Sequence, residues 1–336
     1  MSIEAGTQGG ANDVALSVDE ATALGERALR HIGYSAEEAR VIAANLVDAA
    51  LCGYPALGLP RILTIAEHAY THQPRKPVSV VHETPVSALI DGGNYVGLYA
   101  VYRATEIAIE KARASRFALV GVHNSYLSGR NTYYLEMIAR AGFAGMHLAC
   151  SQPLVAPLGG RAPAFGTNPI AFGVPGDPDP LIFDMGTAAI NYGDVIHASR
   201  LQELLPEGAA IDAQGQPTRD PAAALAGGIL PFGGHKGYGL SLMIQALGLL
   251  AGAALPRGQV RDFAFLFVVF DPGLLIPPAQ FKQHLAELIA EVKATPRQPG
   301  VDEIRIPSER AFRERARRRR EGIMLARRLY DRINAL

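Results

Sequence analysis

Apolar positions recur along this chain at two periods, and the switches between them mark out its elements. Near the N-terminus the period is helical. Ser17-Val-Asp-Glu20 and Ser35-Ala-Glu-Glu38 each set a hydroxyl three residues ahead of a carboxylate, the spacing of a capping box. Each opens an amphipathic helix, over 18–32 and 36–52, and Gly33 stops the first. Pro60 sits near the first turn of a third helix, expected over 61–70. Residues 78–81 and 87–91 read as short strands. Ala, Ile and Val then recur at helical spacing over 99–114. A strand over 117–122, a helix over 131–141 and a strand over 145–150 follow.

Past residue 150 the pattern breaks. Gly and Pro crowd 151–194, with short apolar segments at 170–174 and 181–183 between them. Such a loop-rich, strand-poor section is the kind that lines a site. Residues 208–228 form a polar excursion, read as a surface hairpin and a short helix. The run 263–270 is apolar at nearly every position, the mark of a central strand. A helix over 278–294, a last short strand over 304–307 and a helical, Arg-rich tail over 308–336 complete the chain. Glu309, Glu314 and Glu321 flank the run Arg317 to Arg320 at helical spacing, with no aromatic residue interleaved. A solvated helix face or a subunit contact is therefore expected there, not nucleic-acid binding.

Composition narrows the class. The 336 residues supply one large or two ordinary domains. Hydrophobic residues at 49% against 19% charged fit a globular chain with a sizeable core. The formal net charge of zero gives no pull toward nucleic acid or membrane. Cys52 and Cys150 stand far apart and show neither a disulfide framework nor a metal-ligand spacing. No metal is expected, and a reducing cytoplasm is. Residues 1–12 are polar and Gly-rich and lack the apolar core of a signal peptide. Disorder is expected over 1–16, up to the first capping box. The apolar run 237–255 is short, rich in Gly and Ala, and follows a Lys-Gly turn, so it reads as a buried helix and not a membrane span.

One stretch combines these signals. Pro231-Phe-Gly-Gly-His-Lys-Gly-Tyr-Gly-Leu240 packs glycines, a His and a Lys ahead of the apolar run. Glycines let backbone approach a ligand closely. A helix starting there would aim free N–H groups and its positive end at an anion, with Lys236 adding a mobile charge. The same ten residues also suit a Gly-rich turn ahead of a core helix. They match neither the phosphate-binding P-loop nor the Gly-x-Gly-x-x-Gly fingerprint.

Longer motifs decide between these. Asn124-Ser125, Gly129 and Tyr133-Tyr134 follow the run Asn-Ser-x-His-x-Gly-x-x-Gly-Tyr-Tyr. Pro153-Leu-Val-Ala-Pro-x-Gly-Gly160, Gly166-Thr-Asn-Pro169, Phe183-Asp-Met185, Gly233-Gly-His-Lys-Gly-Tyr-Gly239 and Ile304-Arg-Ile-Pro-Ser-Glu-Arg310 follow in order and spacing. From about residue 17 onward the chain resembles the type-2 malate/L-lactate dehydrogenase family. The resemblance implies an α/β (α+β), non-Rossmann fold in which a mixed sheet core is flanked by helices, with a helical terminal region. It implies that 17–75 packs with 305–336, that 76–122 and 262–304 form the sheet core, and that 123–261 carries the cofactor and active site. It also implies a homodimer that transfers hydride between NAD or NADP and a small 2-oxo/2-hydroxy acid, ureidoglycolate or a cyclic imino acid. The cofactor contacts it implies are Ser151, Thr167, Asn168, Asp184, Met185, His235, Lys236 and Gly237. Arg61 would clamp the substrate carboxylate.

The catalytic side departs from the family. Where the family has Asp-Ser-His-Gly-x-x-Arg, this chain has Pro55-Ala-Leu-Gly-Leu-Pro-Arg61, so Ala56 and Leu57 replace Ser and His. Leu127 replaces the other histidine, and Ser308 replaces a Gly in the last motif. Reducing a carbonyl leaves an alkoxide that must be protonated, and a positioned acid contributes about a hundred- to ten-thousand-fold. Three expectations follow. His123, Tyr126 or Tyr133 supplies the proton, with a strand-end His facing solvent as the alternative for His123. Or the substrate is an iminium, which accepts hydride without an acid and which Asp184 stabilises, unless Asp184 is a structural carboxylate capping the Thr187 turn. Or hydride transfer is lost and the scaffold binds a ligand or does other chemistry in a biosynthetic pathway. His147, within an apolar strand, reads as core.

Overall fold

The computed structural model describes residues 13–336, the side chains at 197, 200 and 201 excepted. Two compact units emerge. One comprises the chain up to His72 together with Ser308–Leu336, and the other is Gln73–Pro307.

In the first unit both capping boxes close. The Ser17 hydroxyl accepts from the Glu20 amide and the Ser35 hydroxyl from that of Glu38, while each glutamate accepts from its serine's amide. They start the helices Val18–His31 and Ala36–Leu51, which bury Leu24, Leu29, Ile42 and Leu46. The helix Glu309–Glu321 packs on Ala36–Leu51. Buried Arg315 brings Nε to 3.0 Å from Asp48 Oδ1, and Arg318 donates to the Ala50 carbonyl at 3.0 Å. Arg317 pairs with Glu314 and Glu321, while Arg319 and Arg320 are exposed. The Arg run is thus part core seam and part solvated face.

Three expectations need correction. Residues 1–12 lie outside the described residues, but Asp13–Leu16 is an ordered strand antiparallel to Ile323–Ala326. The same strand breaks the expected helical tail in two, after Gly322 at φ 90 ends one helix and before Arg327–Asn334 begins the next. Each four-residue strand finds its ladder partner at the opposite end of the chain, which no local pattern announces. Residues 304–307, read as a strand, make no ladder.

The second unit is built on a seven-stranded mixed sheet. Its order is Ser79–Thr84, Ser87–Asp91, Phe117–His123, Ala264–Phe270, Ala144–Cys150, Ile170–Val174 and Leu181–Met185. The pair Ser87–Asp91 and Phe117–His123 is parallel, and the other neighbours are antiparallel. The apolar run around 264–270 is the central strand expected of it. Three of the sheet's strands come from within 123–261.

The two faces of the sheet are covered unequally. Helices Gly97–Ser115 and Asn131–Arg140 close one face, where Val120, Val122, Phe265 and Phe267 are buried. Gly145 and Gly173 let Leu135 approach the backbone on this side, since a Cβ at either would meet its side chain at 3.2 and 3.0 Å. His147 lies here too, fully buried, its ring stacked 4.1 Å from Phe267 and edge-on to Tyr134. The helix His235–Leu250 covers the other face over Leu148, Cys150, Ala264 and Leu266. Among the described residues no helix is long and apolar enough to cross a membrane.

Burial pushes His147 down to about 3, against one hydrogen bond to the Leu266 carbonyl at 3.3 Å that acts the other way. The unfolded chain therefore takes up a proton near pH 6.5 that the folded chain refuses, and stability is full above that pH and falls below it. We expect the unfolding free energy to drop by up to ~1.4 kcal/mol per pH unit below about pH 6.5. Denaturant titrations of His147→Phe should show a distinctly flatter profile between these limits. Parallel profiles would remove His147 as the source.

Candidate active site

Register places the expected residues together. Ala264 faces His123 on one side and Cys150 on the other, and Ile170 opens the next strand, paired with Leu148 of Cys150's strand and with Met185. One edge of the sheet therefore carries His123, the Ser151 that follows Cys150, the Thr167-Asn168 turn ahead of Ile170, and Met185.

Hydrogen bonds lock these turns to one another. A Cβ on Gly166 would lie 2.1 Å from Ser151 Oγ and 3.0 Å from Asn168 Oδ1, so only glycine lets the turn close on Ser151. Asn168, fully buried at φ 31, donates from Nδ2 to the Ser241 carbonyl at 3.0 Å and to Gln245 Oε1 at 3.2 Å. The Thr167 carbonyl accepts from the amide and hydroxyl of Thr187, at 2.8 and 3.1 Å, and the Thr187 carbonyl accepts from the Phe232 amide at 3.0 Å. Gly237 then donates to the Phe232 carbonyl at 3.0 Å, which a Cβ at 237 would approach to 2.2 Å. Asn168 and Gly237, expected as cofactor contacts, are thus buried braces that hold the turns. Asn168 Oδ1, Ser241 Oγ and Gln245 Nε2 remain buried without hydrogen-bond partners.

The start of the helix His235–Leu250 differs in one respect from expectation. Its Lys236 and Gly237 amides are not free, because they close on the Gly233 and Phe232 carbonyls. Among the described residues, the amides of Gly233, Gly234 and His235 have no backbone partner and no side chain caps the helix. Gly233 and Gly234 sit at φ 54 and 61, and nothing lies within 4 Å of the Cβ position of Gly234. His235 and Lys236 are exposed beside this open backbone. The turn can therefore receive an anion on three successive N–H groups and one ammonium.

Asp184 occupies the last strand of the sheet, opposite Ala171. Burial pushes its carboxyl up to about 6. The Asn131 side chain, which donates to Oδ1 at 3.3 Å, the Arg130 charge and the Thr132 and Asn131 amides all act the other way. The carboxyl thus caps the helix Asn131–Arg140, not the Thr187 turn. Asn131 Oδ1 and Thr132 Oγ1 beside it are buried and unpartnered. The sequence reading missed Arg130 and Asn131 and named Thr187 only as the turn that Asp184 would cap. The only signal for the first two was a polar cluster at a helix start.

The remaining proton-donor candidates are placed unequally. Half-buried His123 ends its strand, and a Cβ on Gly252 would come within 2.8 Å of its ring. Tyr126 is fully buried and presents nothing to solvent, while Tyr133 is half-buried. Leu127, at φ 55, holds a left-handed backbone conformation that a leucine rarely adopts. In the other unit, half-buried Leu57 ends the 3-10 turn Pro55–Leu57. Gly58 there packs on the second helix, where a Cβ would meet that of Ala50 at 2.9 Å. Arg61 opens the helix Arg61–Glu67 with a buried Nε that has no hydrogen-bond partner, and burial lowers its pKa. Among the described residues no cluster of His, Cys, Asp and Glu could hold a metal.

Known proteins resemble the whole chain. The family model described as malate/L-lactate dehydrogenase matches residues 16–334. The L-sulfolactate dehydrogenase of Methanothermobacter thermautotrophicus is 36% identical over 330 residues, 95% of either chain. The NAD(+) ureidoglycolate dehydrogenase of Escherichia coli K12 is 33% identical over 321 residues, 91% of either chain. The crystal structure of Δ1-piperideine-2-carboxylate reductase from Pseudomonas syringae pvar. tomato superposes with a TM-score of 0.84 at 30% identity, over 96% of this chain and 99% of that one. Its mixed sheet with flanking helices is the fold of these proteins, and the chain belongs to the malate/L-lactate dehydrogenase family.

Proposed function

We propose that this chain is an NAD- or NADP-dependent oxidoreductase that moves hydride between the nicotinamide and a small 2-oxo/2-hydroxy acid or cyclic imino acid. The observation that carries the reading is the hydrogen-bonded chain from Thr167 through Thr187 to Phe232, with Gly166 packed on Ser151, which fixes an open glycine turn at one sheet edge. That turn fits a dinucleotide: unpartnered amides and Lys236 suit a phosphate, and left-handed glycines leave the backbone bare. Ser151, Thr167, Met185 and His235 would line the same molecule. The cofactor, when bound, supplies or accepts the hydride. Everything else falls to the chain.

Arg61 binds the substrate carboxylate in this reading, since a half-buried guanidinium with an unpartnered Nε gains from an anion. Asp184 holds a proton into the mildly acidic range, so it either donates to a nascent alkoxide or, ionised, steadies an iminium. Leu57 and Leu127 make their positions apolar and favour a less polar substrate than a hydroxy diacid. They also favour a second reading, in which the scaffold binds its ligand without transferring hydride. The chain is further read as a cytoplasmic homodimer.

Titration with NADH and NADPH, followed by nicotinamide fluorescence, tests the cofactor half. Micromolar binding of one is expected, weakened roughly tenfold or more in Lys236→Ala through the lost phosphate contact. Failure of both cofactors at millimolar concentration would reject the reading. The pH profile tests Asp184. If it donates the proton, kcat for reduction falls as pH rises through about 6, and Asp184→Asn loses both the activity and the inflection. An unchanged inflection in that variant would take Asp184 out of the proton path. The double variant Leu57→His, Leu127→His should gain turnover on a simple 2-oxo acid, on the order of a hundredfold if an acid is what is missing. A folded, cofactor-binding double variant with no gain would mean that these positions do not face the reacting carbon.

A further inference from the structure

The loop that follows His123 holds a side chain in a backbone conformation it does not favour. Asn124 at φ 54, Leu127 at φ 55 and Gly129 at φ 77 are all left-handed. Glycine and asparagine take that conformation readily, whereas a leucine is strained there. Neighbours impose it. Asn124 Nδ2 donates to Asp91 Oδ1 at 2.8 Å, and the Asn124 carbonyl accepts from the Asn94 amide at 2.9 Å. Ser125 Oγ donates to the Tyr95 carbonyl at 2.7 Å, and the Tyr126 carbonyl accepts from the Gly97 amide. Among the described residues no hydrogen bond involves Leu127 itself.

Tyr134 holds the other side of the loop. Its ring is fully buried, edge-on to His147 and Phe267, and its hydroxyl donates to the Ser128 carbonyl at 2.6 Å. Ser128 also seats on the start of the helix Gly97–Ser115, where a Cβ on Gly97 would lie 2.9 Å from its Cα. Leu127 is thus clamped from both sides, yet its side chain is only half-buried and stands outside the buried core. A strained residue persists only where its surroundings over-determine it, and such residues gather at sites of function. In the chain this one falls between His123 and Asn131, which donates to Asp184 Oδ1 at 3.3 Å. Its loop leaves the sheet at the edge that also carries Ser151 and Met185.

We propose that Leu127 is a specificity-determining residue: clamped by Tyr134 through Ser128, it presents an apolar post to the carbon chain of the substrate beyond C2, and so selects 2-oxo or imino acids with an aliphatic side chain of several carbons. Tyr134 touches the loop and not the ligand, and is a positioning residue. The assignment rests on the oxidoreductase reading for the class of substrate, but its test does not need hydride transfer. A methylene laid on Leu127 exchanges water for an apolar contact. A terminal carboxylate laid there would shed hydration with no partner to replace it. The strain in Leu127 is then the cost of holding an apolar side chain where the backbone would suit an asparagine.

Calorimetric titration of the full chain with the straight-chain acids from 2-oxopropanoate to 2-oxohexanoate reads the post. Oxidised NAD or NADP is present throughout, so that no hydride moves. For wild type, Kd should fall about fourfold per added methylene. Leu127→Asn, which suits φ 55 as Asn124 suits φ 54, should flatten that dependence and fold at least as stably as wild type in denaturant. Tyr134→Phe keeps the ring and loses the bond to Ser128. It should flatten the dependence too, an effect that lost stability alone would not produce. Should Leu127→Asn not fold, Leu127→Gly takes its place, and failure of both would make Leu127 a packing residue and overturn the assignment. So would a folding constant lowered more than about tenfold in the Leu127 variant. A wild-type Kd that ignores chain length, a slope that survives in either variant, or no binding of any acid with or without nucleotide would each overturn it as well. Absence of hydride transfer from NADH and NADPH, with the slope intact, would reject the oxidoreductase reading and leave this assignment standing.

Discussion

The central strand Ala264–Phe270 is the constraint on which the second unit depends. It arrives late in the chain and inserts between Phe117–His123 and Ala144–Cys150, pairing all seven of its residues with both neighbours. Those two strands run parallel to each other only because a later strand separates them. Their C-terminal ends, His123 and Cys150, therefore reach the same edge. The loops that follow, 124–130 and 151–169, are delivered there together. The candidate site is a consequence of that insertion. It also explains why the loop section 151–194, poor in long elements, is nevertheless held firmly: two of its short strands extend the same sheet and its turns hang from their ends.

Much of this was legible in the sequence, for physical reasons that can be named. Capping boxes at Ser17 and Ser35 work through contacts three residues apart, so local spacing reveals them. The strand 263–270 is buried on both faces over most of its length and reads as a continuous apolar run. What stayed hidden depends on partners distant in sequence. The strand Asp13–Leu16 exists because Ile323–Ala326 lies beside it. Asp184 caps a helix that begins at Asn131 and not the turn beside it. Glycines showed where backbone comes close but not to what. Gly237 and Gly166 pack on the protein's own backbone and side chains, whereas Gly233 and Gly234 stand open.

The site's two halves differ in a way that bears on chemistry. The turns that would seat a nucleotide are braced by a continuous set of hydrogen bonds. Leu57 and Leu127 stand where the sequence resemblance led us to expect histidines, and Leu127 sits in a backbone conformation costly for that side chain. In the proposed reading the candidate proton groups are Asp184, raised by burial, and half-buried His123 and Tyr133. A substrate that already carries its positive charge asks least of these groups, which is the reason a cyclic imino acid is included in the proposal.

Isotope transfer tests the central claim most directly. The protein would be incubated with NADH and NADPH deuterated at either face of C4, together with 2-oxo acids and five- and six-membered cyclic imino acids. Products would then be read by mass spectrometry. The account predicts deuterium at C2 of one product class, from one face of one cofactor, and predicts its loss in Arg61→Ala. Tight cofactor binding without deuterium in any product would contradict it and leave a nucleotide-binding scaffold that does not transfer hydride.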